Sequence, residues 1–172
     1  MVKKNSNKRS VQIGDRAPHF TLPDQTGRKI SLNNLIGKKS IVLYFYPKDG
    51  SPGCTTQACT FRDQYQAFKD QGAEVIGISS DSVEKHREFA LKYSLPFTIL
   101  SDNNGKVRKL YGVPSSIGIL PGRVTYIIDR KGIVRYIFSS QLHVKEHVNK
   151  ALEKLLDIEV ENADNRKLDI RI

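Results

Sequence analysis

The chain contains no tryptophan, one methionine and only two cysteines among its 172 residues. Two cysteines exclude a disulfide scaffold and any zinc site built from cysteine alone. They suit a reducing compartment, where a cysteine pair is more often catalytic than structural. Long apolar runs are also missing. The longest, Ile41 to Tyr46, is six residues, far from the roughly 20 of a membrane helix, so no bilayer span is expected. Residues 1–10 hold Lys3, Lys4, Lys8 and Arg9 with no apolar stretch behind them, which argues against a secretory leader. Cytoplasm is then the default location, with a processed plastid form as the alternative. Acidic side chains are few: 18 Asp plus Glu against 28 Lys plus Arg, a formal charge of +10. The basic doublets (Arg28-Lys29, Lys38-Lys39, Arg108-Lys109, Arg130-Lys131, Arg166-Lys167) are scattered. A nucleic-acid surface would gather them, so a solvated basic surface is the reading and no specific nucleic-acid partner is expected.

What remains is 38% hydrophobic and 27% charged, enough apolar content for one globular core. Residues 1–12 read as a flexible basic tail, 13–156 as the folded domain and 157–172 as a polar C-terminal extension better treated as disordered. Ile41–Tyr46, β-branched and aromatic, predicts a strand covered on both faces. Pro47 stops it, and Lys48-Asp49-Gly50 leads into a helix. Ser51 suits its N-cap and Pro52 its first position, while Ala58, Phe61, Tyr65 and Phe68 recur at helical spacing up to Gly72. Glu74–Ser79 predicts a second buried strand. Asp81 with Glu84 resembles a capping box for a helix bearing Val83, Phe89, Ala90 and Tyr93. A strand at Phe97–Leu100, a short helix near Val107–Tyr111, a hairpin of Val124–Ile128 with Ile133–Phe138 and a last helix through Val144, Val148, Ala151 and Leu155 complete the pattern. Strands alternating with helices, then a hairpin, predict an α/β domain with helices on both faces of the sheet.

Cys54 falls in the first turn of its helix, where unpaired N–H groups and the helix dipole favour a thiolate, the nucleophilic form. Ser51-Pro52-Gly53 leaves that end open. Cys59 is five residues on; in a continuous helix the two Cα atoms are about 8.7 Å apart, from a rise of about 7.5 Å and a rotation of about 140°. A disulfide needs roughly 4.4–6.8 Å. Either the two never pair, or the first turns of the helix unwind when they do.

The run from Tyr44 through Phe45-Tyr46-Pro47-Lys48-Asp49-Gly50-Ser51-Pro52-Gly53-Cys54-Thr55-Thr56-Gln57-Ala58 to Cys59 resembles the active-site segment of peroxiredoxins. Cys59 with Phe61-Arg62-Asp63 resembles the peroxiredoxin Q, or bacterioferritin comigratory protein, branch of the AhpC/TSA superfamily. Ala73–Ser79, Leu100-Ser101-Asp102 and Leu120–Asp129 continue the match in order, over about residues 11–156. The resemblance implies a thioredoxin-like fold with a central mixed sheet, and thiol-dependent reduction of hydrogen peroxide and organic hydroperoxides. It casts Cys54 as the peroxidatic and Cys59 as the resolving cysteine, joined in an intramolecular disulfide that thioredoxin or a related thiol protein reduces. Pro47 matches the proline that shields the nucleophile and Arg123 the arginine that supports it. Ser51 stands where most members carry threonine. No metal or organic cofactor is implied, and a monomer or weak dimer is expected.

These residue types suit the chemistry. Negative charge grows on the leaving oxygen as a thiolate attacks a peroxide, and Arg123 with first-turn N–H groups can stabilise it. The Ser51 hydroxyl can cap the helix or donate to a peroxide oxygen. His143-Val144-Lys145-Glu146-His147 matches H-x-x-E-H, but His147 reads as an edge histidine and His143 as a flanking one. His19 and His86 are assigned no role, and Arg62 is read as outside direct contact with the nucleophile. The alternatives are a thioredoxin-fold redox sensor or chaperone with little turnover, and a basic interaction module with incidental cysteines.

Overall fold

The six residues Ser40–Phe45 form the central strand, β3, and their alternation divides the molecule's two cores. Val42 and Tyr44 face one, whereas Ile41, Leu43 and Phe45 face the other. The structure, a computed structural model, describes residues 9–116 and 120–169. Around β3 a five-stranded sheet is built from β4 (Ala73–Ser79), β5 (Thr98–Ser101), β8 (Val124–Ile128) and β9 (Val134–Ser139), in the order β5-β4-β3-β8-β9. β3, β4 and β5 run parallel, as strand–helix–strand crossovers require. β8 lies antiparallel to β3 and β9 antiparallel to β8, the latter two joined by a turn in which Asp129 accepts from the N–H groups of Lys131 and Ile133. This is a thioredoxin-like arrangement, and the mixed sheet expected from the sequence is present.

Helices cover both faces, unequally. On the Val42 face, α1 (Pro52–Asp63), α2 (Tyr65–Asp70), α3 (Val83–Tyr93) and α5 (Val144–Asp169) contribute Ala58 and Phe61, Phe68, Phe89 and Ala90, and Val148, Ala151 and Leu155. The other face receives Val107 and Tyr111 of α4 (Lys106–Tyr111), with Val11, Ala17, Phe20 and Leu32 from the N-terminal segment. That segment includes a small hairpin of β1 (Thr21–Pro23) and β2 (Lys29–Ser31). A two-residue pair, β6 (Ser115–Ser116) and β7 (Leu120–Pro121), precedes β8.

Several expectations are corrected. The helix predicted from Ser51 to Gly72 breaks at Gln64 into α1 and α2, where Gln64 leaves the helical backbone conformation with φ −101° and ψ 4°. Ser82, not Asp81, caps α3 by accepting from Lys85 N. The tail expected to be flexible through residue 12 is anchored from residue 9: Arg9 pairs with Asp15, and buried Val11 donates its N–H to Tyr111 O. Residues 1–8 of that tail lie outside the described residues. Finally, residues 157–169 are not disordered but extend α5. Ile158 is buried against the core, and Glu159 and Glu161 reach Arg130 and Arg135.

Candidate active site

β3 ends at Phe45, and the next six residues carry the chain from the end of this central strand to α1. Pro47 sits half-buried in this crossing. Ser51 takes the N-cap conformation, φ −68° and ψ 149°, and its carbonyl accepts the first helical bond from Thr55 N. Its hydroxyl neither caps nor stands free; it donates to Lys48 O at 3.1 Å and tightens the preceding turn. Cys54 is the third residue of α1, reduced and almost fully buried, at the end where N–H groups lack helical partners.

Arg123 reaches this sulfur from the residue before β8, with Nη2 3.4 Å from Cys54 Sγ. Gly53 leaves the guanidinium room, since a Cβ there would stand 3.2 Å from Arg123 Nη2 and press on it. Nη1 donates to Gln57 Oε1 at 2.5 Å. Among the described residues Arg123 is buried yet pairs with no carboxylate. Buried charges need compensating partners, and the groups that meet this guanidinium are Gln57 Oε1 and Cys54 Sγ. Beneath the helix Tyr44 stacks on Phe61 and Tyr46. Burial, then the charges of Asp49 and Cys54, hold its phenol well above the ordinary value, so it stays neutral.

Cys59 lies half-buried on the same unbroken helix, away from Cys54. The structure thus brings Cys54, Arg123 and the Ser51 turn together, and holds Cys59 apart. Arg62, near Cys59, is occupied elsewhere: Nη1 donates to Tyr93 O at 2.8 Å and Nε to Asp63.

Sequence reasoning missed four buried polar side chains around this centre. Gln57 holds Arg123. His86, assigned no role, bridges Asp49 Oδ2 at 2.6 Å and Leu100 O at 3.1 Å. Asp49 also accepts from the Tyr46 hydroxyl, and its N–H donates to Asp81, so the loop between β3 and α1 is pinned to α3 and β4. His147 is no edge residue: fully buried, it meets Thr125 Oγ1 and Ser140 O, both at 2.8 Å, while His143 is exposed on Ser140. With both His147 nitrogens so engaged, the H-x-x-E-H pair does not share a ligand point. The fourth is Arg108. The missed signal is common to Gln57, His86 and His147: each occupies a position on its helix's apolar stripe, as His86 does between Val83 and Ala90.

A buried cysteine sulfur beside a guanidinium at a helix start, on a thioredoxin-like sheet with a second thiol on the same helix, is an arrangement suited to a thiol-dependent peroxidase. The AhpC/TSA family model matches residues 13–137. Relatives include chloroplastic peroxiredoxin Q of Sedum lineare, 52% identical over 155 residues (90% of this chain, 83% of that one), and that of Triticum aestivum, 54% identical over 144 residues (83% and 66%). Similar solved structures include peroxidoxin BcpB from Mycobacterium tuberculosis, with TM-score 0.79 and 38% identity over 85% of this chain and 97% of that one. Another is a Cys-to-Ser mutant of peroxiredoxin Q from Xylella fastidiosa, with TM-score 0.81 and 27% identity over 88% and 99%. The chain belongs to the AhpC/TSA family, in its peroxiredoxin Q branch, and is a thiol-dependent peroxidase.

Proposed function

We propose that Cys54 is the peroxidatic residue, and the observation that carries this is the Arg123 guanidinium 3.4 Å from its sulfur. The Cys54 thiolate attacks one peroxide oxygen, the O–O bond breaks, and the leaving oxygen departs as water or an alcohol after taking a proton. Charge developing on that oxygen is stabilised by Arg123 and by the free first-turn N–H groups. For Ser51 to assist, its hydroxyl leaves Lys48 O and donates to the substrate. Pro47, which offers no N–H, shields the sulfur side of the crossing. The product is a sulfenic acid on Cys54.

Cys59 then attacks the Cys54 sulfur, expelling water and forming an intramolecular disulfide. Two electrons from a thiol reductant, thioredoxin or a related protein, restore the pair. Hydrogen peroxide and small organic hydroperoxides are the substrate class. The chloroplastic relatives support a plastid location over the cytoplasmic default, and we take the acting unit to be a monomer or weak dimer, with no nucleic acid or membrane in its cycle.

Peroxide consumption in a thioredoxin-coupled assay tests these roles. Cys54→Ser is expected to abolish turnover. Cys59→Ser is expected to give one oxidation per molecule and then stall unless a small thiol is added. Sustained turnover by Cys54→Ser removes the assignment.

A further inference from the structure

Arg108 is buried, like Arg123, but does not touch the sulfur. It belongs to α4, whose first turn is held by buried Asp102: the carboxylate accepts from Arg108 N at 2.9 Å and Val107 N at 3.1 Å. From there the side chain passes over the Phe45 ring, 5.8 Å from its centroid, and ends in a fork. Nη1 donates to Gly122 O and Nη2 to Tyr46 O, each at 3.0 Å.

Those two carbonyls belong to the residues immediately before Arg123 and Pro47. The β3–β8 ladder pairs Phe45 with Val124 and goes no further. Pro47 brings no N–H to extend it, and Tyr46 N is turned toward Ile78 O of β4. The guanidinium stands where the ladder stops and joins both strand ends through one rigid planar group. Gly122 is fixed from its other side too, since a Cβ there would lie 2.2 Å from Pro114 O. The guanidinium is therefore a brace between two arms, the strand end that leads to Pro47 and the one that carries Arg123 to Cys54. Burial holds the Arg108 pKa below its ordinary value, against the opposing charges of Asp102 and Cys54.

We infer that Arg108 is a positioning residue: its fork fixes the separation of Pro47 and Arg123 and so aligns an incoming peroxide with Cys54. This rests on the roles given above to Cys54, Pro47 and Arg123.

The test compares two reactions of Cys54 in full-length protein carrying Cys59→Ser, so that one thiol remains. Oxidation by hydrogen peroxide needs alignment between the arms; alkylation by iodoacetamide needs a reactive sulfur but no such alignment. For Arg108→Met the peroxide rate constant should fall on the order of 10²-fold, the scale of a misplacement of about 1 Å, while alkylation stays within about threefold. Arg108→Lys keeps the charge but cannot span both carbonyls, and should lose about tenfold in oxidation. If circular dichroism shows that the Met variant does not fold, the Lys variant decides alone. Oxidation at the wild-type rate in a folded variant, or oxidation and alkylation falling in parallel, overturns the inference. Failure of the parent protein to oxidise at Cys54 instead removes the functional reading beneath it.

Discussion

His147 ties β8 to the chain ahead of α5, and its ring is held between Thr125 Oγ1 and Ser140 O with Phe138 edge-on at 4.7 Å. Burial pushes its pKa down from 6.5 to about 4; the Ser140 carbonyl opposes the shift and the charge of Arg123 adds to it. In the unfolded chain the ring returns to its ordinary value, so between about pH 6.5 and 4 the unfolded state binds the extra proton. The stabilisation is therefore complete above pH 6.5 and lost as pH falls through 4. By pH 4.5 the loss amounts to about 2 to 3 kcal/mol. Urea midpoints at pH 7 and pH 4.5 check this. His147→Gln should be less stable at pH 7 and should lose distinctly less than the parent on acidification. An identical drop in both proteins would assign the acid sensitivity to other groups.

At the scale of elements, α1 poses a geometric conflict that the fold does not relieve. Cys54 and Cys59 lie in one continuous helix, about 8.7 Å apart at Cα by helical geometry, so their disulfide demands that the first turns come undone. The far end of α1 is fastened, because Arg62 donates to Tyr93 O at the end of α3 and Phe61 is locked between Tyr44 and Phe68. Unwinding should therefore stop near residue 61. Amide deuterium exchange is expected to quicken over residues 54–60 in the disulfide form relative to the dithiol form, with α2 and α3 unchanged. Equal protection in both redox forms would contradict the unwinding.

At the scale of the whole molecule, α5 closes one face of the sheet and continues to Asp169. Its last turns hold on by Ile158 and by two ion pairs, Arg130–Glu159 and Arg135–Glu161. Partly exposed pairs contribute about 0 to 1 kcal/mol each, whereas burying an isoleucine contributes roughly 1.5 to 3 kcal/mol, so the apolar contact dominates. Ending the chain at residue 156 should lower unfolding stability by about 2 kcal/mol while peroxide still oxidises Cys54 at the parent rate. Urea denaturation and single-turnover oxidation measure the two. A truncated protein as stable as the parent would show that Ile158 contributes nothing.

That extension also shows where sequence reading stops. Residues 157–169 are polar because their partners, Arg130 and Arg135, are polar and distant in sequence; nothing local announces the pairing. β3 was legible because an unbroken apolar run has one good solution, a covered strand. The place of Cys54 at a helix start followed from Ser51 and Pro52, and Arg123 from the resemblance. Gln57, His86, Arg108 and His147 were not, since each is satisfied by a group from another element. A polar side chain on an apolar stripe marks such a position but does not name its partner.

Cys54, the guanidinium beside it and Cys59, the thiol proposed to resolve it, all come from a single polypeptide, the two cysteines from one helix of 12 residues. On the roles proposed above, no step between the arrival of oxidant and the arrival of reductant calls for another copy. Output per molecule is then indifferent to dilution, and a compartment holding few copies still draws the full rate from each.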